Sequence, residues 1–206
     1  DWLERLEVAR ESGFDYVEIS VDETDDKLAR LDWSADERRE LVQLQEKTGV
    51  PIRSMCLSGH RKYPFGATDP VVRAKSMDIM KKAIGLACDL GVRTIQLAGY
   101  DVYYEPGTDE TRKWFAENLA RATEMAAREG VLLGFETMET PFMDTVGKSM
   151  AYVSQIDSPY LGVYPDLGNL TNASFLYGES VTDDLAHGRG HILAAHCKET
   201  VAGADR

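Results

Sequence analysis

The 206-residue chain has no apolar run approaching the roughly 20 residues of a membrane span, so no membrane partner is expected. Cysteine is scarce. Cys56, Cys88 and Cys197 are odd in number and form no CxxC pair, which argues against a disulfide framework and for a reduced, cytoplasmic setting. Basic charge is in deficit, with 23 Lys and Arg against 35 Asp and Glu and a formal net charge of −12. A nucleic-acid surface needs a concentrated basic patch, so no nucleic-acid partner is expected, and an anionic small molecule would depend on a few local cations. No GxGxxG or P-loop follows an apolar stretch, which counts against nucleotide binding. The opening DWLERLEVARESG has the pattern of an amphipathic helix rather than a signal peptide.

What is present is a repeat. An amphipathic stretch, a glycine and a short β-branched run recur in ARESGFDYVEISV, EKTGVPIRSMCL, ACDLGVRTIQLAG, AAREGVLLGFET and AHGRGHILAAH. The glycines Gly13, Gly49, Gly91, Gly130 and Gly190 fall where a helix takes a left-handed residue before the chain enters a strand. With SPYLGVYPDLGN supplying another strand, six are expected near 15–21, 51–57, 93–98, 131–137, 161–166 and 191–197. Helices are expected near 1–12, 35–48, 69–90, 110–129, 147–156 and 181–188. This alternation implies an α/β protein with right-handed βαβ units and a parallel sheet, read as a single domain over 1–206.

The strand faces choose between an open doubly wound sheet and a barrel. Val17, Ile19 and Val21 share one face while Tyr16, Glu18 and Ser20 share the other; Leu133 and Phe135 likewise oppose Gly134 and Glu136. A sheet covered by helices on both sides is apolar on both faces. One polar or small face suits the interior of a (β/α)8 TIM barrel. A barrel closes with eight strands, so a strand ahead of Asp1 and at least one beyond Arg206 are expected, the chain being an incomplete barrel.

Barrel chemistry sits at the C-terminal ends of the strands. There the inward residues include Glu136 in GFETMET, Asp166 in GVYPDLGN and His196 in LAAHCKET, spaced by 30 residues each, one βα unit. Two carboxylates and an imidazole suit one divalent ion such as Mn2+, Zn2+, Mg2+ or Co2+. Asp166 could equally shape a turn, and Glu136 could pair with a basic neighbour. His191 and His196 are five apart and should point to opposite faces of a strand, leaving His191, with Leu193 and Ala195, outside. Lys198 shares the face of His196 and is either a substrate contact or a solvated loop lysine. The loop SGHRKYPFG gathers His60, Arg61 and Lys62, an anion site or a solvated basic turn. Tyr100, Tyr103 and Tyr104 in AGYDVYY could wall a sugar pocket or pack beneath a loop, and the acidic cluster of VDETDDKLARLDW reads as a solvated helix cap.

The stretches EISVDETDDKLARLDWS, SMCLSGHRKYPFG, IQLAGYDVYY, YPDLGN and HCKET resemble the L-ribulose-5-phosphate 3-epimerases, also called hexulose-6-phosphate isomerases, of the xylose-isomerase-like barrel superfamily. The resemblance runs over essentially the whole chain. It implies one divalent metal held by Glu136, Asp166, His196 and a second glutamate from an eighth strand outside this chain. It further implies Glu136 as a catalytic acid/base, Lys198, Asn169, His60 and Arg61 as substrate contacts, a sugar-phosphate substrate and a homodimer. The implied reaction converts L-ribulose 5-phosphate to L-xylulose 5-phosphate through an enediolate. Without the second glutamate the isolated chain is expected to show little turnover. Rival readings on the same scaffold are an aldose-ketose isomerase, or an epimerase of another, unphosphorylated sugar. A DNA endonuclease relative is disfavoured by the acidic charge and the four histidines.

Overall fold

The computed structural model describes residues 1–200. Among them, five parallel strands pair in chain order: β1 (Val17–Ser20), β2 (Ile52–Leu57), β3 (Thr94–Ala98), β4 (Leu132–Glu136) and β5 (Leu161–Tyr164). Around them run α1 (Trp2–Glu11), α2 (Asp25–Leu28), α3 (Ala35–Thr48), α4 (Pro70–Leu90), α5 (Asp109–Arg128), α6 (Val146–Ile156), α7 (Leu167–Tyr177) and α8 (Val181–His187). Sequential parallel pairing with helical crossovers is the wall of a (β/α)8 barrel. Local chemistry sets the helix bounds. Ser34 and Glu37 form a reciprocal capping box on α3, and Asp69 caps α4 with Pro70 in its first turn. Gly49 (φ 72°) and Gly91 (φ 78°) then end these helices in the left-handed region. Gly13, Gly130 and Gly190 share that sign of φ.

The two faces of the sheet divide as the alternation implies. Ile19, Met55, Leu57, Ile95, Leu97, Leu133, Phe135 and Val163 are buried in one continuous apolar core with side chains of α1, α3, α4 and α5. Phe115 of α5 anchors part of it, meeting Phe135, Phe142 and Tyr152 at ring-centroid distances of 6.2, 5.1 and 5.2 Å. The inner face carries Glu18, Ser54, Cys56, Gln96, Gly134, Glu136, Gly162 and Tyr164. Register aligns these residues: Glu18 pairs with Ser54, Cys56 with Gln96, Gln96 with Gly134, and Glu136 with Tyr164.

Besides the short α2, two elements near the site differ from the sequence expectation. The helix α7 was not anticipated, because Asp166 and the Asn- and Thr-bearing run behind it read as a turn. Asp166 is instead the N-cap, its side chain accepting from the Asn169 N–H. The expected strand 191–197 is not a strand either. It runs beside β5 with two isolated bridges, Val163 to Ile192 and Asp166 to His196. Three residue steps on one side oppose four on the other, and this extra residue breaks the ladder as a β-bulge does. The bulge also changes which residues face inward. Leu193, expected outside, lies over the inner-face glycines: a Cβ on Gly162 would meet its Cγ at 2.9 Å, and one on Gly134 its Cδ1 at 3.3 Å. His196 nonetheless faces inward as expected, since the inserted residue restores its side.

Gly162 is therefore the seat of this last segment. An added Cβ there would also lie 2.5 Å from the His191 carbonyl oxygen, which accepts the Val163 N–H. Gly162→Ala is expected to cost about 1 to 3 kcal/mol and to loosen residues 191–197 selectively. Urea unfolding and amide exchange check this, and an unchanged midpoint with full protection of Leu193 would contradict it.

Candidate active site

Glu136 ends β4, Asp166 lies two residues beyond β5, and His196 lies on the bridge that aligns with Asp166. Their donor atoms lie within 4.8 Å of one another. His196 Nδ1 is 3.2 Å from Glu136 Oε1 and 3.7 Å from Asp166 Oδ2, and its Nε2 is 3.2 Å from Glu18 Oε1. Hydrogen bonds to Glu136 and then Glu18 outweigh desolvation and raise the imidazole to about 10. Asp166 is 1% exposed. Its Oδ1 serves as the helix cap while Oδ2 stays turned toward the site, 3.0 Å from Lys198 Nζ. The reading of Asp166 as a turn former and the reading as a ligand thus use different oxygens.

The other residues singled out by the sequence separate. Lys198 reaches the site through its ion pair with Asp166, its stem crossing Gly168, where a Cβ would meet Lys198 Cγ at 2.7 Å. Asn169 is buried beneath Asp166, its amide donating to the Thr137 carbonyl at 2.8 Å while its Oδ1 meets no partner among the described residues. Arg61 ends a 3-10 turn at Ser58–Arg61 and is stacked over Tyr103 and Tyr100, 5.0 and 5.8 Å from the ring centroids. Glu23 lies 3.7 Å from its guanidinium and accepts from the Tyr104 hydroxyl. His60 does not belong with them. It is 3% exposed, with Nε2 3.2 Å from the Ser76 carbonyl oxygen and its ring 4.5 Å from Phe65. The apolar packing around the turn takes it out of the mouth. His191 is exposed and lies outside the cluster.

Comparison with known proteins agrees with this architecture. Residues 6–206 match the family model of the xylose isomerase-like TIM barrel. The chain is 48% identical to L-ribulose-5-phosphate 3-epimerase UlaE of Escherichia coli over 202 residues, covering 98% of this chain and 70% of that protein. The chain belongs to this family. An equal identity links it to the epimerase of the same name from Escherichia fergusonii. Among solved structures, D-psicose 3-epimerase superposes with a TM-score of 0.81 at 16% identity, covering 100% of this chain and 71% of that one. L-ribulose 3-epimerase does so with a TM-score of 0.69 at 23% identity, covering 94% and 63%. At these identities the superpositions speak for the fold.

The donor set of this family member fits a divalent ion. Two carboxylates and an imidazole make a mixed oxygen and nitrogen set. With His196 neutral, Glu18, Glu136, Asp166 and Lys198 leave two negative charges, which one divalent cation cancels. Glu18 Oε2 and Gln96 Oε1 are buried beside the cluster without partners among the described residues. Residues at the site that the sequence reading had not singled out are Glu18, Gln96, Tyr164 and Thr137. Gln96 Nε2 lies 3.1 Å from His196 Nδ1, the Tyr164 ring packs 5.0 Å from the imidazole, and Thr137 Oγ1 accepts from the Asp166 N–H. Glu18 and Gln96 had a signal, since both lie on the inward face of their strands; the height at which they meet His196 is set by register alone. Burial drives the Tyr164 hydroxyl and the Cys56 thiol up to about 12. Both are neutral, and Cys56 is no nucleophile.

Burial pushes the His60 imidazole down from 6.5 to about 4. Unfolding frees it to take a proton, so its contribution to stability is complete above pH 6.5 and is lost as pH falls toward 4. The full loss is about 3 kcal/mol. His60→Gln is expected to show a correspondingly shallower decline of urea-unfolding free energy over that window, and identical slopes for the two proteins would refute the assignment.

Proposed function

We propose that this protein is a sugar-phosphate 3-epimerase that converts L-ribulose 5-phosphate to L-xylulose 5-phosphate, using one divalent ion at Glu136, Asp166 and His196. The convergence of these three side chains from consecutive βα units carries the reading. The 48% identity to proteins named L-ribulose-5-phosphate 3-epimerase supports the choice of substrate. The described residues hold no helix long and apolar enough to cross a membrane.

Epimerisation beside a ketone removes the C3 proton to leave an enediolate and returns a proton to the opposite face. Glu136 is the base on one face, and a second acid must serve the other. A bound divalent ion such as Mn2+, Zn2+, Mg2+ or Co2+ supplies positive charge beside the carbonyl and enediolate oxygens. Glu136, Asp166 and His196 would hold it, and Asp166 is kept in place from below by the Thr137 and Asn169 bonds. The Asn169 Oδ1, free of partners, is suited to accept from a sugar hydroxyl. Lys198 and Arg61 are the cations suited to substrate oxygens and phosphate. Arg61 in particular has its Nε buried without a partner and only a 3.7 Å ion pair to Glu23, so a phosphate dianion would compete for it. In this reading the chain acts as one domain, paired as a homodimer in the cytoplasm.

Deprotonation needs one base, so exchange of the substrate C3 proton with D2O isolates it. Glu136→Gln is expected to slow that exchange about a hundred- to ten-thousand-fold; NMR exchange unaltered by the substitution, or a wild-type protein inert toward L-ribulose 5-phosphate in both exchange and conversion, would reject the proposal. Arg61→Met is expected to weaken binding of L-ribulose 5-phosphate about ten- to a hundredfold and to leave that of unphosphorylated L-ribulose unchanged. Calorimetry with both sugars separates the cases, and equal losses would remove Arg61 from phosphate recognition.

A further inference from the structure

The imidazole of His196 is engaged on both edges, and the two edges are not equivalent. Nδ1 faces Glu136 at 3.2 Å, Asp166 at 3.7 Å and the Gln96 amide at 3.1 Å. Nε2 faces Glu18 Oε1, at 3.2 Å. Glu18 lies on β1 and His196 beside β5, so this contact crosses the concave interior of the sheet between groups 178 residues apart. We propose that Glu18 is a positioning residue: its carboxylate holds the Nε2–H of His196 and thereby presents Nδ1, rather than Nε2, to the ion bound with Glu136 and Asp166. The inference rests on the metal centre proposed above and assigns a role to a residue outside it.

Three features support this role over the alternatives. Glu18 stands on the edge of the ring opposite the other two carboxylates, and the donor cluster within 4.8 Å consists of Glu136, Asp166 and His196 without it. It is therefore ill placed to share their ion as a further ligand. Metal-bound imidazoles almost always donate the remaining N–H to a carboxylate or carbonyl, which sets the tautomer and the ring plane. Glu18 supplies that acceptor, and the Tyr164 ring, 5.0 Å from the imidazole, packs against the same side chain. Nor is Glu18 occupied elsewhere in the described residues. Its second oxygen, Oε2, meets no partner among the described residues, so the hydrogen bond to His196 is the interaction that this partly exposed carboxylate makes. A merely structural carboxylate would be expected to meet a backbone N–H or a basic side chain.

The test uses the whole chain and Mn2+ binding by calorimetry. Glu18→Leu is expected to weaken Mn2+ about ten- to a hundredfold. Glu18→Gln is expected to recover most of that loss, because an amide oxygen also accepts the Nε2–H. Nitrogen-detected NMR of the Zn2+-loaded wild-type protein provides a readout that needs no variant: His196 should carry its proton on Nε2, with Nδ1 shifted by the metal. A proton on Nδ1 would overturn the proposal, as would wild-type affinity in Glu18→Leu or equal losses in the Leu and Gln variants. Failure of the underlying site reads differently. Mn2+ affinity unaffected by His196→Gln, or no binding by the wild-type protein, would remove the metal centre itself and the role of Glu18 with it.

Discussion

The constraint on which the structure turns is parallel register. Adjacent parallel strands put paired residues at one height and one face, and here Ala98 pairs with Glu136, Glu136 with Tyr164, and Asp166 with His196. That alignment gathers functional groups from positions tens of residues apart without any local motif. It also segregates chemistry, because every step along a strand reverses the face. The apolar residues lie against helices, and the carboxylates and imidazole lie within the curve of the sheet.

The polar interior has an energetic cost that shapes it. Buried polar atoms without partners are expensive, and Glu18 Oε2, Ser54 Oγ, Gln96 Oε1 and Asn169 Oδ1 are all of this kind. They lie along the inner face or directly beneath the site rather than in the apolar core. Around them the scaffold is closely packed, with Phe115 in edge contact with Phe142 and Tyr152 and Asp166 tied to Thr137 just beyond β4.

Much of the fold was legible in the chain because its signals are local. The left-handed glycines of the repeat mark helix ends by sterics, and one-sided alternation along 17–20 and 132–136 marks a face. The spacing of Glu136, Asp166 and His196 followed from the repeat length. What was not legible arose from competition between local and tertiary preferences. Asp166 carries two roles on its two oxygens, and this hid α7, whose Asn and Thr residues are weak helix formers. The segment 191–197 alternates like a strand, yet it pairs with β5 across a one-residue insertion, so Leu193 turns inward. His60 looked like part of a basic turn and is core, because Phe65 and the Ser76 carbonyl claim it.

The sequence by itself determined the α/β alternation, the outer apolar face, the acidic balance and the residue types able to hold a cation, since each depends on neighbours within a few positions. Tertiary structure alone decided which of those residues meet. The approach of Glu18 to His196 across 178 residues, the stacking of Arg61 on Tyr100 and Tyr103, and the inward turn at Leu193 depend on strand register and sheet curvature. Register is a relation between strands, set by how their side chains pack together, and no single strand carries it.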